Sequence, residues 1–116
     1  MTDIVRIDQN ARRSRASVFG DLVFLAGQVA DDKAGDIAKQ TGEVLAKIDD
    51  LLARAGTDKS RILMAQIFLA DIADFAAMNA VWDAWVVPGQ TPARATVQAR
   101  LNDPKMKIEI MVVAAR

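Results

Sequence analysis

The chain has 116 residues, 52% of them hydrophobic, which suits one globular domain spanning residues 1–116 and is too apolar for a disordered segment. Fifteen basic residues balance fifteen acidic ones, and this neutral charge argues against non-specific nucleic-acid binding. Histidine, cysteine and tyrosine are absent, which excludes a Ser-His-Asp triad, a Cys-His pair, disulfides and the usual zinc sites. Any chemistry must therefore come from carboxylates, Arg, Lys, Ser, Thr or backbone groups.

The first part of the chain predicts short strands. Val5–Ile7 is a possible first strand. Arg15–Phe19 and Leu22–Ala26 predict a hairpin, because the intervening Gly20-Asp21 pair is typical of a tight turn. No apolar run at the N-terminus resembles a signal peptide, and no stretch reaches the roughly 20 apolar residues of a membrane helix. We therefore expect a cytoplasmic protein without a membrane partner.

Two segments predict helices. Asp36–Ala55 carries apolar residues three and four positions apart, with Asp36 as a candidate N-cap and Gly56 suited to the left-handed position after the last turn. Asp71–Val86 predicts the second helix, which Pro88 follows. We favour packing against a sheet as the interpretation of its large apolar face. A cofactor-binding site formed by these side chains is the less favoured interpretation. That face carries Phe75, Met78, Trp82 and Trp85.

Three later segments predict the remaining strands. Ile62–Leu69 is mostly apolar, Ala93–Arg100 alternates, and Lys107–Val113 is the last strand. This order predicts an α+β fold with two helices on one face of a mixed sheet. The other face would keep Met111 and Val113 uncovered, so we expect a homo-oligomer that buries them.

Arg94 and Glu109 are the candidate functional residues, because each is a charged residue inside a strand that should be largely buried. The planar fork of Arg94 suits a carboxylate, and Glu109 could transfer a proton or orient water. A structural alternative is equally weighted for both: Arg94 could form a salt bridge with Glu109 or across an interface, and Glu109 could pair with Lys107 or Arg94.

Other polar features are weaker candidates. In Ala26-Gly27-Gln28 the glycine could let backbone amides approach a ligand, although a bend or bulge is the favoured interpretation. The acidic residues that follow this segment, Asp31, Asp32 and Asp36, lack the spacing of a calcium loop, so we interpret them as turn and cap residues.

A basic cluster precedes the hairpin and consists of Arg12, Arg13 and Arg15. We interpret it as a solvated strand edge or loop, since no aromatic residue interleaves with it.

Taken together, the motifs resemble the RidA/YjgF superfamily of reactive-intermediate (imine) deaminases, over nearly the whole chain. The resemblance is carried by three blocks and by the strand-to-helix joint around Asp71, Phe75 and Asn79. The three blocks are Ala26-Gly27-Gln28-Val29, Thr91-Pro92-Ala93-Arg94-Ala95-Thr96-Val97 and Lys107-Ile108-Glu109-Ile110. The segments 59–63 and 82–87 look like the YoaB-like branch.

This resemblance implies a chorismate-mutase-like fold and a homotrimer with barrel-like inner sheets, outer helices and clefts between subunits. It implies hydrolysis of 2-imino acids to 2-keto acids and ammonia, without metal or cofactor. Arg94 would bind the substrate carboxylate and Glu109 would orient water. Thr96, Gly27 and Ala26 would contribute to substrate binding.

The chain departs from the archetype of that superfamily at three places. Arg13 falls near the position of a tyrosine, Ala26 replaces a serine, and Thr96 replaces a small thiol. These changes leave the carboxylate anchor and the carboxylate base in place. They leave a second function open, a non-catalytic binder of small 2-keto or carboxylic acids. Ribonuclease activity ranks last, because the chain is neutral and has no histidine to serve as a base.

Overall fold

The computed structural model describes residues 3–116, which form six strands and two α-helices. In chain order they are β1 (Ile4–Ile7), β2 (Ala16–Phe19), β3 (Leu22–Leu25), α1 (Ile37–Arg54), β4 (Ile62–Leu69), α2 (Phe75–Trp85), β5 (Ala93–Gln98) and β6 (Ile108–Ala115). Two single-turn 3₁₀ helices lie at Lys59–Arg61 and Ile72–Asp74.

All six strands join one sheet in the order β1-β2-β3-β6-β4-β5. The β4–β5 pair is parallel and every other pair is antiparallel. The parallel pair follows from the α2 crossover, since parallel strands cannot be joined by a tight turn. The predicted α+β fold with a mixed sheet and two helices is thus confirmed.

Both helices pack on the same face of the sheet, where the hydrophobic core lies. The apolar stripe of α1 is buried at the spacing that the sequence predicts, and α2 buries Met78 and Trp82. On the sheet side, alternate residues of β6 are fully buried in this core, because side chains of a strand alternate between its faces. They are Ile108, Ile110, Val112 and Ala114.

The ends of α1 are formed by the residues that the sequence singles out. The Asp36 side chain accepts a hydrogen bond from the backbone N–H of Lys39 at 2.8 Å. Gly56 adopts φ of +86°, the left-handed conformation that side chains with a Cβ rarely adopt. The hairpin turn is also confirmed, with Gly20 at φ +58°.

Some element boundaries differ from the prediction. Asp71 caps the 3₁₀ turn before α2, so the α-helix begins only at Phe75. β5 ends at Gln98, because its parallel partner β4 ends at Leu69. β6 runs on to Ala115, since it also pairs with β3.

The sheet face opposite the helices, here called the open face, carries large apolar side chains. Met111 and Val113 lie on it as predicted and are half-buried by their neighbours. Five apolar side chains of this face expose between 39% and 51% of their surface, a pattern typical of an interaction surface. They are Ile4, Phe19, Leu22, Phe24 and Val97.

No helix within residues 3–116 is long and apolar enough to cross a membrane.

Two glycines at α1 give a matched test of helix formation. We expect Gly56→Ala to lower the free energy of unfolding by about 1–2 kcal/mol, because an L-residue resists the left-handed conformation. Gly42→Ala, in the exposed middle of the helix with no atom within 4 Å of the new methyl group, should raise it by about 0.5–1 kcal/mol. Urea unfolding of both variants measures the difference. Equal effects of the two substitutions would contradict this account of the helix end.

Candidate functional site

Arg94 lies on β5 at the edge of the sheet and points toward α2. Its Nη1 donates a hydrogen bond to Asn79 Oδ1 at 2.8 Å. Its Cζ lies 5.3 Å from the centroid of the Trp82 ring and 5.9 Å from that of Phe75. These contacts hold the guanidinium by cation–π attraction and one hydrogen bond, while its other N–H donors remain available to a ligand.

Glu109 lies on β6 and points to the open face, where its carboxylate rests against the backbone of Gly27. A Cβ on Gly27 would overlap this carboxylate and would lie 2.8 Å from its Cδ. The absence of a side chain at Gly27 therefore leaves the space in which the Glu109 carboxylate lies. A bend or bulge, the interpretation favoured from sequence, does not account for this contact.

Arg94 and Glu109 do not meet within one copy of the chain. Arg94 is in register with Ala65, and Ala65 with Val112, so all three share the helix-covered face. Glu109 lies three residues before Val112 on β6, and an odd offset along a strand reverses the face. The two side chains thus point to opposite sides of the sheet. A site that uses both needs Arg94 from one copy and Glu109 from another.

The salt-bridge interpretation finds no support within one copy. Among residues 3–116, neither Arg94 nor Glu109 belongs to any of the five salt bridges. Lys107, the other proposed partner of Glu109, also forms none of them. Both charges are only half-buried, so water or a ligand can reach them.

Thr96 shares the helix-covered face with Arg94, two residues along β5. Its Oγ1 is buried and has no hydrogen-bond partner in the described part of the chain. A buried hydroxyl without a partner is uncommon in proteins and calls for an explanation. The contribution of Thr96 to substrate binding, which the family resemblance implies, stays a prediction.

A cleft of about 690 Å³ opens beside Glu109 and Gly27. Ala26 also lines it, so three of the predicted site residues lie together, whereas Arg94 and Thr96 lie elsewhere. Six charged residues line the cleft, four basic and two acidic, so basic residues outnumber acidic ones in its wall. They are Arg12, Arg13, Arg15, Lys47, Asp31 and Glu109.

The wall of the cleft is held by a buried glutamine. Gln28 accepts a hydrogen bond from Arg15 Nη2 at 2.9 Å and donates one to the Ala26 carbonyl at 2.8 Å. Its backbone also bridges to Ile110 of β6, adjacent to Glu109. Gln28 thus ties the loop after β3 to the strand that carries Glu109.

Electrostatic pairing neutralises part of the cleft. Lys47 Nζ donates to Asp31 Oδ1 and to the Val29 carbonyl, both at 2.7 Å. The hydrogen bond from Lys47 lowers the pKa of Asp31 below its ordinary value, so this carboxylate stays ionised to a lower pH than an unpaired aspartate. The turn and cap interpretation of the acidic residues holds for Asp32, which accepts from the N–H of Ala34, and for Asp36. Within residues 3–116 no three His, Cys, Asp or Glu side chains form a cluster that could hold a metal ion.

Sequence reasoning missed two groups of residues. The role of Asn79 in holding Arg94 was not predicted, and neither was the stacking of Arg94 on Trp82. The basic cluster Arg12, Arg13 and Arg15 lies in a loop, and Arg12 and Arg13 are exposed there, which confirms the interpretation from sequence. Its position in the wall of the cleft with Glu109 was not predicted. Its high local charge could have pointed to an anion site, because three arginines within four residues repel one another.

Comparison with known proteins identifies close relatives. A RutC family protein, YoaB, from Escherichia coli strain K12 is 51% identical over 112 residues, which covers 97% of both chains. A RutC family protein from Haemophilus ducreyi is 46% identical over 112 residues, covering 97% of this chain and 96% of the relative.

Solved structures share the fold. A member of the YjgF protein family from Neisseria meningitidis superposes with a TM-score of 0.95 at 46% identity, covering 98% of this chain and 95% of that one. A structure from Salmonella typhimurium described as a putative translation initiation inhibitor gives a TM-score of 0.90 at 50% identity, covering 97% of both chains.

A family model described as endoribonuclease L-PSP matches residues 4–116, which is nearly the whole chain. This match, together with YoaB and the YjgF structure, agrees with the resemblance read from the three sequence blocks. The chain therefore belongs to the endoribonuclease L-PSP family, the family of the YjgF/RidA proteins.

Proposed function

We propose that this protein is a cofactor-free deaminase that hydrolyses reactive 2-imino acids, and their enamine tautomers, to 2-keto acids and ammonia. The observation that carries the proposal is the seating of the Glu109 carboxylate on Gly27 in an accessible cleft. A carboxylate in such a position can hold a water molecule and exchange protons with it. An imine carbon is already electrophilic, so no stronger nucleophile is needed.

The active assembly that we propose is a homotrimer with its sites between subunits. The apolar open face supports such an assembly, because large exposed apolar patches on a protein usually mark a site of protein–protein interaction. Arg94 lies on the edge strand β5, and in the proposed trimer a neighbouring copy would bring its cleft to this edge. Closed rings of identical interfaces repeat this contact at every subunit boundary.

In the proposed reaction, Arg94 holds the substrate carboxylate and aligns the imine carbon with the water on Glu109. The water oxygen bonds to the imine carbon, its proton passes to Glu109, and the electrons of the C=N double bond move to nitrogen. Glu109 returns this proton to nitrogen, giving a carbinolamine. Its hydroxyl proton then passes through Glu109 to the nitrogen, the C–N bond breaks, and ammonia leaves as the keto group forms.

Substitution of the two charged residues should separate binding from chemistry. We expect Arg94→Gln to lower kcat/KM about 10- to 100-fold, mostly through KM, because a charged hydrogen bond to the carboxylate is lost. Glu109→Gln should lower kcat about 10²- to 10⁴-fold, because it cannot accept a proton. The assay generates an imine in situ with an amino-acid oxidase and follows 2-keto acid release.

A control for this assay is Arg61→Gln, which removes a positive charge at an exposed residue outside the cleft. It should retain full activity. No acceleration by the wild-type protein, or full activity in Arg94→Gln, would refute the deaminase. Tight calorimetric binding of a 2-keto acid without any turnover would instead favour the non-catalytic binder.

A mixing experiment tests the shared site. Because Arg94 and Glu109 come from different copies, Arg94→Gln and Glu109→Gln chains refolded together at equal amounts should regain about a quarter of the wild-type activity. Activity is compared at substrate concentrations well below KM, where each variant refolded alone should show only its own reduced kcat/KM, and sedimentation should show oligomers. A mixture as inactive as its components, or a wild-type protein that sediments as a monomer at micromolar concentration, would contradict the shared site.

Gly27→Ala tests whether the contact with Gly27 sets the position of the Glu109 carboxylate. The three atoms nearest to the new methyl group all belong to the flexible Glu109 side chain, so we expect a change of no more than about 0.5–1 kcal/mol in the free energy of unfolding. The carboxylate must nevertheless move, and a displacement of about 1 Å can lower kcat about 10²-fold. Urea unfolding and imine turnover measure the two effects. Unchanged turnover in the folded variant would argue against this role of Gly27.

A further inference from the structure

The cleft beside Glu109 contains more positive charge than a single substrate carboxylate requires. Lys47 is paired with Asp31, and Arg15 is bonded to Gln28 and, at 3.4 Å, to Asp8. The guanidinium groups of Arg12 and Arg13 belong to none of the side-chain hydrogen bonds or salt bridges within residues 3–116. Two adjacent, solvent-exposed arginines thus line the cleft, and neither guanidinium has a side-chain partner among residues 3–116.

These two arginines are presented by an ordered turn. The Asn10 side chain accepts hydrogen bonds from the backbone N–H groups of both Arg12 and Arg13, each at 2.8 Å. The Asn10 N–H in turn donates to the Arg13 carbonyl at 2.8 Å. Three hydrogen bonds therefore fix the backbone from which both side chains extend, so less conformational freedom is lost when they bind an anion.

We infer that Arg12 and Arg13 bind a second carboxylate on the substrate, so that the preferred substrates are 2-imino dicarboxylic acids. This inference rests on the proposed function, in which Arg94 of a neighbouring copy takes the first carboxylate. Glu109 would then face the imine carbon between the two anchors. An arginine fork binds a carboxylate by paired, charge-assisted hydrogen bonds, whereas an apolar substrate side chain would leave both guanidinium groups unpaired beside it.

A small dianion fits the cleft better than a polyanion such as RNA. The cleft also contains the carboxylates of Asp31 and Glu109, which would repel a continuous phosphate backbone. The chain has zero formal net charge, so no broad basic surface extends the attraction beyond the cleft.

The test compares two 2-keto acids of equal length, 2-oxoglutarate and 2-oxopentanoate, which differ in the second carboxylate. By calorimetry we expect the wild-type protein to bind 2-oxoglutarate about ten- to a hundredfold more tightly. In the double variant Arg12→Gln/Arg13→Gln this preference should fall to within about twofold, with the Kd of 2-oxopentanoate unchanged. Arg61→Gln, which removes one charge away from the cleft, should keep the wild-type preference.

Turnover gives the second measurement. Imines are generated by amino-acid oxidases from D-glutamate and from D-norvaline, and kcat/KM is compared. The double variant should lose about tenfold or more on the dicarboxylic imine only. Equal losses on both imines, or no preference for 2-oxoglutarate in the wild-type protein, would overturn the inference.

The two proposals fail differently. If no imine is hydrolysed but 2-oxoglutarate still binds through Arg12 and Arg13, the second-carboxylate site stands and the deaminase falls. If both imines are hydrolysed equally by the wild-type protein and the double variant, the deaminase stands and this site falls. If the arginines prove to bind a single-stranded RNA oligonucleotide in a salt-dependent way and show no keto-acid preference, they contact phosphates and the inference is wrong.

Discussion

The alternation of side chains along a β-strand limits what one copy of this chain can do. With both helices on one face of a single sheet, every strand has a core side and an open side. Arg94 falls on the first and Glu109 on the second, separated by the thickness of the sheet. A reaction that uses both must therefore be an activity of the assembly, with a substrate enclosed between two copies.

Different interactions position the side chains of Arg94 and Glu109. Arg94 is positioned by an amide oxygen and two aromatic rings, which attract a cation without neutralising it. Glu109 is positioned by close packing on a residue without a side chain, and no cation in the described chain pairs with it. Both charges thus remain available for chemistry because neither is paired with an opposite charge among residues 3–116.

Most of this fold could be predicted from the sequence, because the spacing of apolar residues along a helix or strand shows which of its faces is buried. The α1 stripe, the Asp36 cap and the alternation of β6 all depend on local spacing. Arg94 and Glu109 could be singled out for the same reason, as charges in apolar strands. The partners Asn79 and Gly27 could not be paired with them, since 15 and 82 positions separate these residues along the chain and only the tertiary fold joins them. The loop at Arg12 and Arg13 is solvated as predicted, but its local pattern does not reveal the cleft that it lines.

The open face and the edge strand β5 also matter to a newly synthesised chain. Phe24 and Val97 expose an apolar patch that can bind other unfolded chains, and the free edge of β5 has unpaired backbone groups that can pair with a strand of another protein. Arg94 and Gln98 interrupt the apolar character of that edge, as charged and polar residues do in strands that must resist aggregation. Arg94, which we propose to bind the substrate carboxylate, would then also protect a single, unassembled chain against aggregation at this edge.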